Sequence, residues 1–222
     1  MSQHDYILSN DTGANFRADL NNALAAIATA NSGATEPTTT YANQLWYDTT
    51  LGILKIRNAA NSAWLSFQPL IPATAQTTTS GTSIDFTGIP SGTRRITIIL
   101  ADVSTSGTSN MLVQLGDAGG IETTGYVSAC NQFSGSPTAS SSTAGFVVQE
   151  AMSASANASG QIVITNVSSN IWVASSCLVD SQPSNAIGAG SKTLSAVLDR
   201  VRITTVNGTD TFDAGTINIL YE

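Results

Sequence analysis

The chain has 222 residues, of which 8 are basic and 15 acidic, giving a net charge of −7 with only 10% of residues charged. That balance excludes a nucleic-acid binder, which needs a basic face to displace counterions from phosphates, and a binder of anionic membranes. Apolar residues make up 41% of the chain and Ser plus Thr 57 of 222, so the composition is that of a polar but core-forming protein rather than a disordered acidic one.

The start of the chain has no basic n-region and no long apolar run, so no secretory signal is expected. No stretch approaches the ~18 apolar residues of a membrane span. Residues 14–31 are the one convincing helix. Thr12 or Asp11 can cap it and Gly33 lies just past its end. Phe16, Leu20, Leu24 and Ile27 are spaced 4, 4 and 3 apart and form one stripe, with Ala23 and Ala30 beside it. Either the stripe packs on the chain's own small sheet, or the helix associates with copies of itself.

A three-stranded meander follows at 44–48, 53–57 and 63–67, with Gly52 suited to the first turn. Trp46, Tyr47, Trp64 and Phe67 are concentrated there. A core of this size calls for help from partner chains. Residues 71–81 carry no charge and end in polar turn formers, and read as an extended linker.

Beyond it the pattern is almost pure β. Strands are expected at 83–87, 94–103, 111–115, 125–130, 146–149, 161–165, 171–175, 194–197, 201–206 and 216–221, with Asn207-Gly208 as a hairpin turn. The expected fold is therefore mainly β. A small N-terminal α+β unit (residues 1–70) precedes, after the linker, a C-terminal antiparallel β-sandwich or jelly-roll (82–222).

Chemistry-bearing groups are few. One histidine and two cysteines do not furnish a His/Cys zinc site. His4 precedes every packed element, and without it no Ser-His-Asp triad assembles. Asp117 with Glu122, and Asp210 with Asp213, read as solvated turn carboxylates; calcium ligation and glycoside hydrolysis are the sharper alternatives. Arg200 and Arg202 share a strand face, where ion pairing competes with recognition of a sugar acid. Trp172 and Tyr126 offer stacking planes for a sugar, but both sit in strong strand patterns that favour the core. Cys130 and Cys177 are expected to be reduced, half-buried thiols, with a bridge left open because distance is not readable from sequence. The sequons at Asn157, Asn166 and Asn207 read as chance matches in a Ser/Thr-rich chain.

His4-Asp-Tyr-Ile-Leu8, the run Arg17 to Ile27, Asn31-Ser-Gly33, Trp46-Tyr-Asp-Thr-Thr50, and Leu54 to Asn61 with Trp64 together resemble the N-terminal region of tailed-bacteriophage fibre proteins, especially those of cyanophage-like phages. Asp85 to Pro90, Arg95-Ile-Thr-Ile98, Gln114 to Asp117, Gly119 to Glu122 and Arg200 through Ile219 resemble β-rich distal domains of similar fibres. The resemblance implies a homotrimer in the virion, assembled in the bacterial cytoplasm. Its N-terminal region would dock to other tail or head proteins, and its distal domain would bind a host surface polysaccharide or outer-membrane protein. No enzyme activity, cofactor, metal, nucleic acid or membrane insertion is expected. Phe16, Leu20, Leu24, Ile27, Trp46 and Trp64 are the residues assigned to trimer or virion attachment. The absence of a long shaft keeps a head decoration or tail adaptor as the alternative. A depolymerase and a cellular carbohydrate-binding module are more distant rivals.

Overall fold

A computed structural model describes residues 3–67, 69–133, 135–150 and 153–222. The chain divides into two compact units, Met1–Pro69 and Leu70–Glu222.

The first unit holds one helix, α1 (Gly13–Ala28), and a meander of β1 (Leu45–Asp48), β2 (Ile53–Arg57) and β3 (Trp64–Phe67), in that spatial order and antiparallel throughout. Thr12 is the N-cap, its hydroxyl accepting from the Asn15 amide at 3.4 Å. The helix stops about a turn earlier than its composition suggests because Ala30 and Asn31 both adopt positive φ, at 51° and 52°. Asn31 is buried there, donating to the Leu45 carbonyl at 3.0 Å and accepting from the Tyr6 hydroxyl.

The second unit is an antiparallel β-sandwich. Its strands are β4 (Ile71–Pro72), β5 (Gln76–Thr77), β6 (Ser83–Thr87), β7 (Arg95–Thr105), β8 (Met111–Asp117), β9 (Gly120–Ile121), β10 (Tyr126–Phe133), β11 (Thr138–Ser142), β12 (Phe146–Gln149), β13 (Ala158–Ser168), β14 (Ile171–Asp180), β15 (Asn185–Thr193), β16 (Leu198–Thr205) and β17 (Phe212–Tyr221). The large sheet runs β11-β10-β15-β14-β13-β7-β17-β4, with β5 also on β17. The small one runs β12-β8-β16-β6, with β9 on β8. The core lies between their inner faces. Ile96, Ile98 and Leu100 of β7, Ile162 and Ile164 of β13 and Ile217 of β17 meet Val113 and Leu115 of β8 and Val201 and Ile203 of β16 there.

Three expectations are corrected. Residues 71–81 are not a free spacer. β4 and β5 pair with β17, and buried Thr78 donates its amide to Gly215 at 3.0 Å and its hydroxyl to Ala214 at 2.6 Å. The unsatisfied edge of β17 demands these partners, and an edge position tolerates Pro72. Residues 194–197 form a loop, and the strand begins at Leu198. Asn207-Gly208 does not close a hairpin between paired strands: β16 and β17 belong to different sheets, and this turn carries the chain from one to the other. The Asn207 side-chain oxygen holds the corner, accepting from the amides of Thr209 at 3.0 Å and Asp210 at 3.2 Å.

Candidate functional site

The N-terminal unit has little interior of its own. Among its described residues the buried apolar side chains are Ala23, Ala26, Pro37 and Trp46. Trp46 is the hub. Its indole N–H donates to the Gly33 carbonyl at 3.2 Å, Trp64 meets it edge-on at 5.3 Å, and the Lys55 ammonium lies 4.5 Å from its ring centre. Lys55 also pairs with Asp48 at 2.8 Å. Burial alone would push the Asp48 carboxyl up, but Lys55 and the amides of Leu51 and Thr50 outweigh it and hold the group below its ordinary value. Trp64 is half-buried and donates to Glu36 at 2.8 Å. The assignment of Trp46 to a partner surface is therefore corrected: it is an internal residue, and Trp64 is engaged beside it.

The N-terminal strap is held by this chain itself. The His4 ring contacts Asp19 at 2.8 Å through Nε2 and accepts the Tyr6 amide at 2.8 Å through Nδ1, a pattern that places the proton of the neutral ring on Nε2. Gln3 donates to the Thr35 carbonyl at 2.7 Å and Tyr41 to the Asp5 carbonyl at 3.1 Å. His4 is thus part of a packed corner, contrary to the expectation that it precedes one.

What the unit buries is small; what it displays is large. α1 packs through Ala23 and Ala26, and the stripe of Phe16, Leu20, Leu24 (54% exposed) and Ile27 (62% exposed) points outward. The intramolecular reading of that stripe is corrected, because two alanines suffice to seat the helix.

The meander displays a second surface, which sequence reasoning missed. Register aligns Leu45, Ile56 and Leu65 in one row and Tyr47, Leu54 and Phe67 in the next, all on the face opposite Trp46 and Lys55. Leu45, Tyr47, Leu65 and Phe67 are exposed and Leu54 and Ile56 half-exposed. An open depression of about 730 Å³ is lined by Tyr47, Leu54, Phe67 and Pro69 among others. The signal was present: one alternating set of these strands is wholly apolar, while the other sets Trp46 and Trp64 among Asp48, Lys55, Arg57 and Ser66.

In the sandwich, the charged clusters are internally paired. Arg202 makes a two-pronged pair with Asp85, both contacts at 2.7 Å, and Arg200 one with Asp199 at 2.6 and 3.0 Å. They border a hollow of about 310 Å³ with Thr87 and Thr123, but both guanidinium forks are already filled by carboxylates. Ser195 Oγ lies 2.8 Å from Asp117 and 2.8 Å from Glu122, and Lys192 pairs with Glu122 at 2.5 Å. The Ser195 hydroxyl and the Gly119 amide hold Asp117 below its ordinary value. Burial would raise Glu122, but Lys192 and Ser195 outweigh it and lower it too. Glycoside hydrolysis needs one carboxyl held protonated; both of these are pushed the other way.

Asp210 accepts from the Ser109 amide at 3.0 Å and Asn207 at 2.7 Å, and Asp213 from the Ser104 hydroxyl. Among the described residues no three His, Cys, Asp or Glu side chains gather in a way that could hold a metal. Trp172 and Tyr126 lie in the core, and burial raises the Tyr126 phenol far above its ordinary value. Cys130 is buried and Cys177 exposed, and both are free thiols. No helix among the described residues is long and apolar enough to cross a membrane.

Comparison of the chain with known protein families, with curated proteins and with solved structures found no match.

Proposed function

We propose that the chain is a non-catalytic virion attachment protein, a trimeric phage tail fibre or short spike. Its N-terminal unit sets symmetry and docks to the particle, and its β-sandwich binds a host surface polysaccharide or outer-membrane protein. The observation that carries this reading is the inversion of the N-terminal unit, which buries Ala23 and Ala26 while displaying Phe16, Leu20, Leu24 and Ile27. An outward apolar ridge on a unit with so small a core is the mark of a surface completed by other chains. Trimerisation also multiplies weak host contacts through avidity. The sequence resemblance to phage fibres supports the same reading.

The test is the mass of the full chain in solution, with adsorption to host cells measured alongside. A trimer that loses mass on Leu20→Asp with Leu24→Asp, and that adsorbs to host cells or their envelope polysaccharide, supports the proposal. A single copy at every concentration overturns it. A second reading, a head decoration or tail adaptor, is favoured by the burial of Trp172 and Tyr126, which removes two candidate stacking planes for a sugar. It predicts the same oligomer without host-dependent adsorption.

A further inference from the structure

The outward face of the large sheet carries an uncharged surface independent of the helix ridge. Across β10, β15, β14 and β13 every charged residue, namely Lys192 and Asp180, points inward and is buried. The outward set is aliphatic, small or neutral polar, with one aromatic residue, Phe133, 49% exposed at the end of β10. One row runs from Ala139 through Ile187 and Cys177 to Asn218, and the next from Ser141 through Ala189 to Leu220, each crossing seven strands without a charged side chain. Large apolar residues stand out from this face, with Val127 72% exposed, Ile187 52% and Val179 45%.

We infer that this sheet face is covered by a second copy of the same chain. Three observations select that occupant. First, a chain of net charge −7 meets its own copy with least repulsion where charge is missing, and no charged partner finds a complement here. Second, the neutral polar groups on the face, including Asn131, Ser175 and Gln161, both donate and accept and so can pair with like groups of a copy whatever the symmetry. Third, the four strands at ~4.8 Å spacing and ~30 Å in length give a face of roughly 600 Å², approaching the ~800 Å² per partner of a stable interface.

Cys177 stands in the middle of this face while Cys130 is buried behind it, so the protein carries its own reporter. The experiment is the rate at which a maleimide modifies Cys177 in the full-length chain across about a hundredfold dilution. A covered face predicts labelling about tenfold slower in concentrated than in dilute protein. Val127→Lys, placed two rows from the thiol and at an exposed position, should abolish that protection with the thermal melt unchanged. Ile187→Lys serves as a second variant. Labelling at the free-thiol rate at every concentration, in folded protein, overturns the inference, and so does protection that no lysine variant relieves. The helix-ridge variant Leu20→Asp with Leu24→Asp separates the two readings. Concentration-dependent protection that persists in it sustains the sheet interface even if the ridge proves inert.

Discussion

Gly215 of β17 sits against the backbone of Asp102 in β7. A Cβ on Gly215 would lie 2.5 Å from the Asp102 carbonyl carbon and 2.6 Å from the Val103 α-carbon, and its φ is +97°. Asp102 is the bulged residue of β7, with φ +53°, and the ladder to β17 shifts register around it. Gly215→Ala must therefore move backbone as well as adopt a strained φ. It should lower unfolding free energy by about 2 kcal/mol or more. Gly208→Ala has a positive φ but open space around it, and should cost no more than about 1–2 kcal/mol. Urea titration of both variants checks the order.

The helix should be more sensitive on its small-residue side than on its greasy one. Ala26 is fully buried, so Ala26→Leu overpacks the seat of α1 and should cost about 1–3 kcal/mol. Leu24→Ala, at a position 54% exposed, should leave the fold of a dissociated chain within about 0.5 kcal/mol. Thermal melts of the two variants at low protein concentration decide.

Acid should loosen the N-terminal unit through Asp48. Its folded pKa is depressed, so the stabilisation it supplies is complete above the unfolded value of about 3.9 and is lost as pH falls through the folded one. Tryptophan emission, in which Trp46 and Trp64 add to the signal of Trp172 in the sandwich core, should shift below about pH 4. In Asp48→Asn that acid transition should shrink, with the starting stability already lower.

Asp180 is a buried acceptor hub at one end of the sandwich. It takes the Ser184 hydroxyl at 2.6 Å, the Gln182 amide at 2.9 Å and the side chains of Gln132 at 3.4 Å and Gln149 at 3.3 Å. Asp180→Ala would strand these donors in a region where Gln149 is fully buried. A loss of about 3–5 kcal/mol is expected, read by chemical denaturation.

The two thiols should behave differently. Burial, reinforced by the negative charge of Glu150, pushes the Cys130 thiol up to about 11, so it stays protonated and shielded. Dissociated native protein should release one equivalent of thiol to a colorimetric disulfide reagent, from Cys177, and the second only on denaturation. Rapid release of two equivalents would contradict the buried position of Cys130.

Local chemistry made the helix cap at Thr12 and the alternation of β6 readable, because each is decided by residues within a few positions. β15 was missed for the opposite reason. Its glycines look like turn residues, yet Gly190 lies where a Cβ would come within 2.6 Å of the Val127 carbonyl and 2.7 Å of the Phe146 ring. A glycine required by a neighbouring strand carries no mark in its own segment. The same holds for β4 and β5, which are strands only because β17 runs beside them. In the candidate site, the spacing of Phe16, Leu20, Leu24 and Ile27 revealed a stripe but not its direction. Direction depended on whether Ala23 and Ala26 could seat the helix, which is a fact of packing. Trp46 and Tyr47 are neighbours in sequence, and only strand register shows that the first is internal and the second displayed.

Ile71 pairs with Tyr221, and the Glu222 carbonyl accepts the amides of Arg94 and Arg95 at 2.6 and 3.0 Å. The first and last strands of the Leu70–Glu222 unit thus lie side by side along one shared margin. Such a body can be lifted out, rejoined end to end through a short bridge and reopened at a distant bend, or exchanged for another of like build, without rerouting anything inside it.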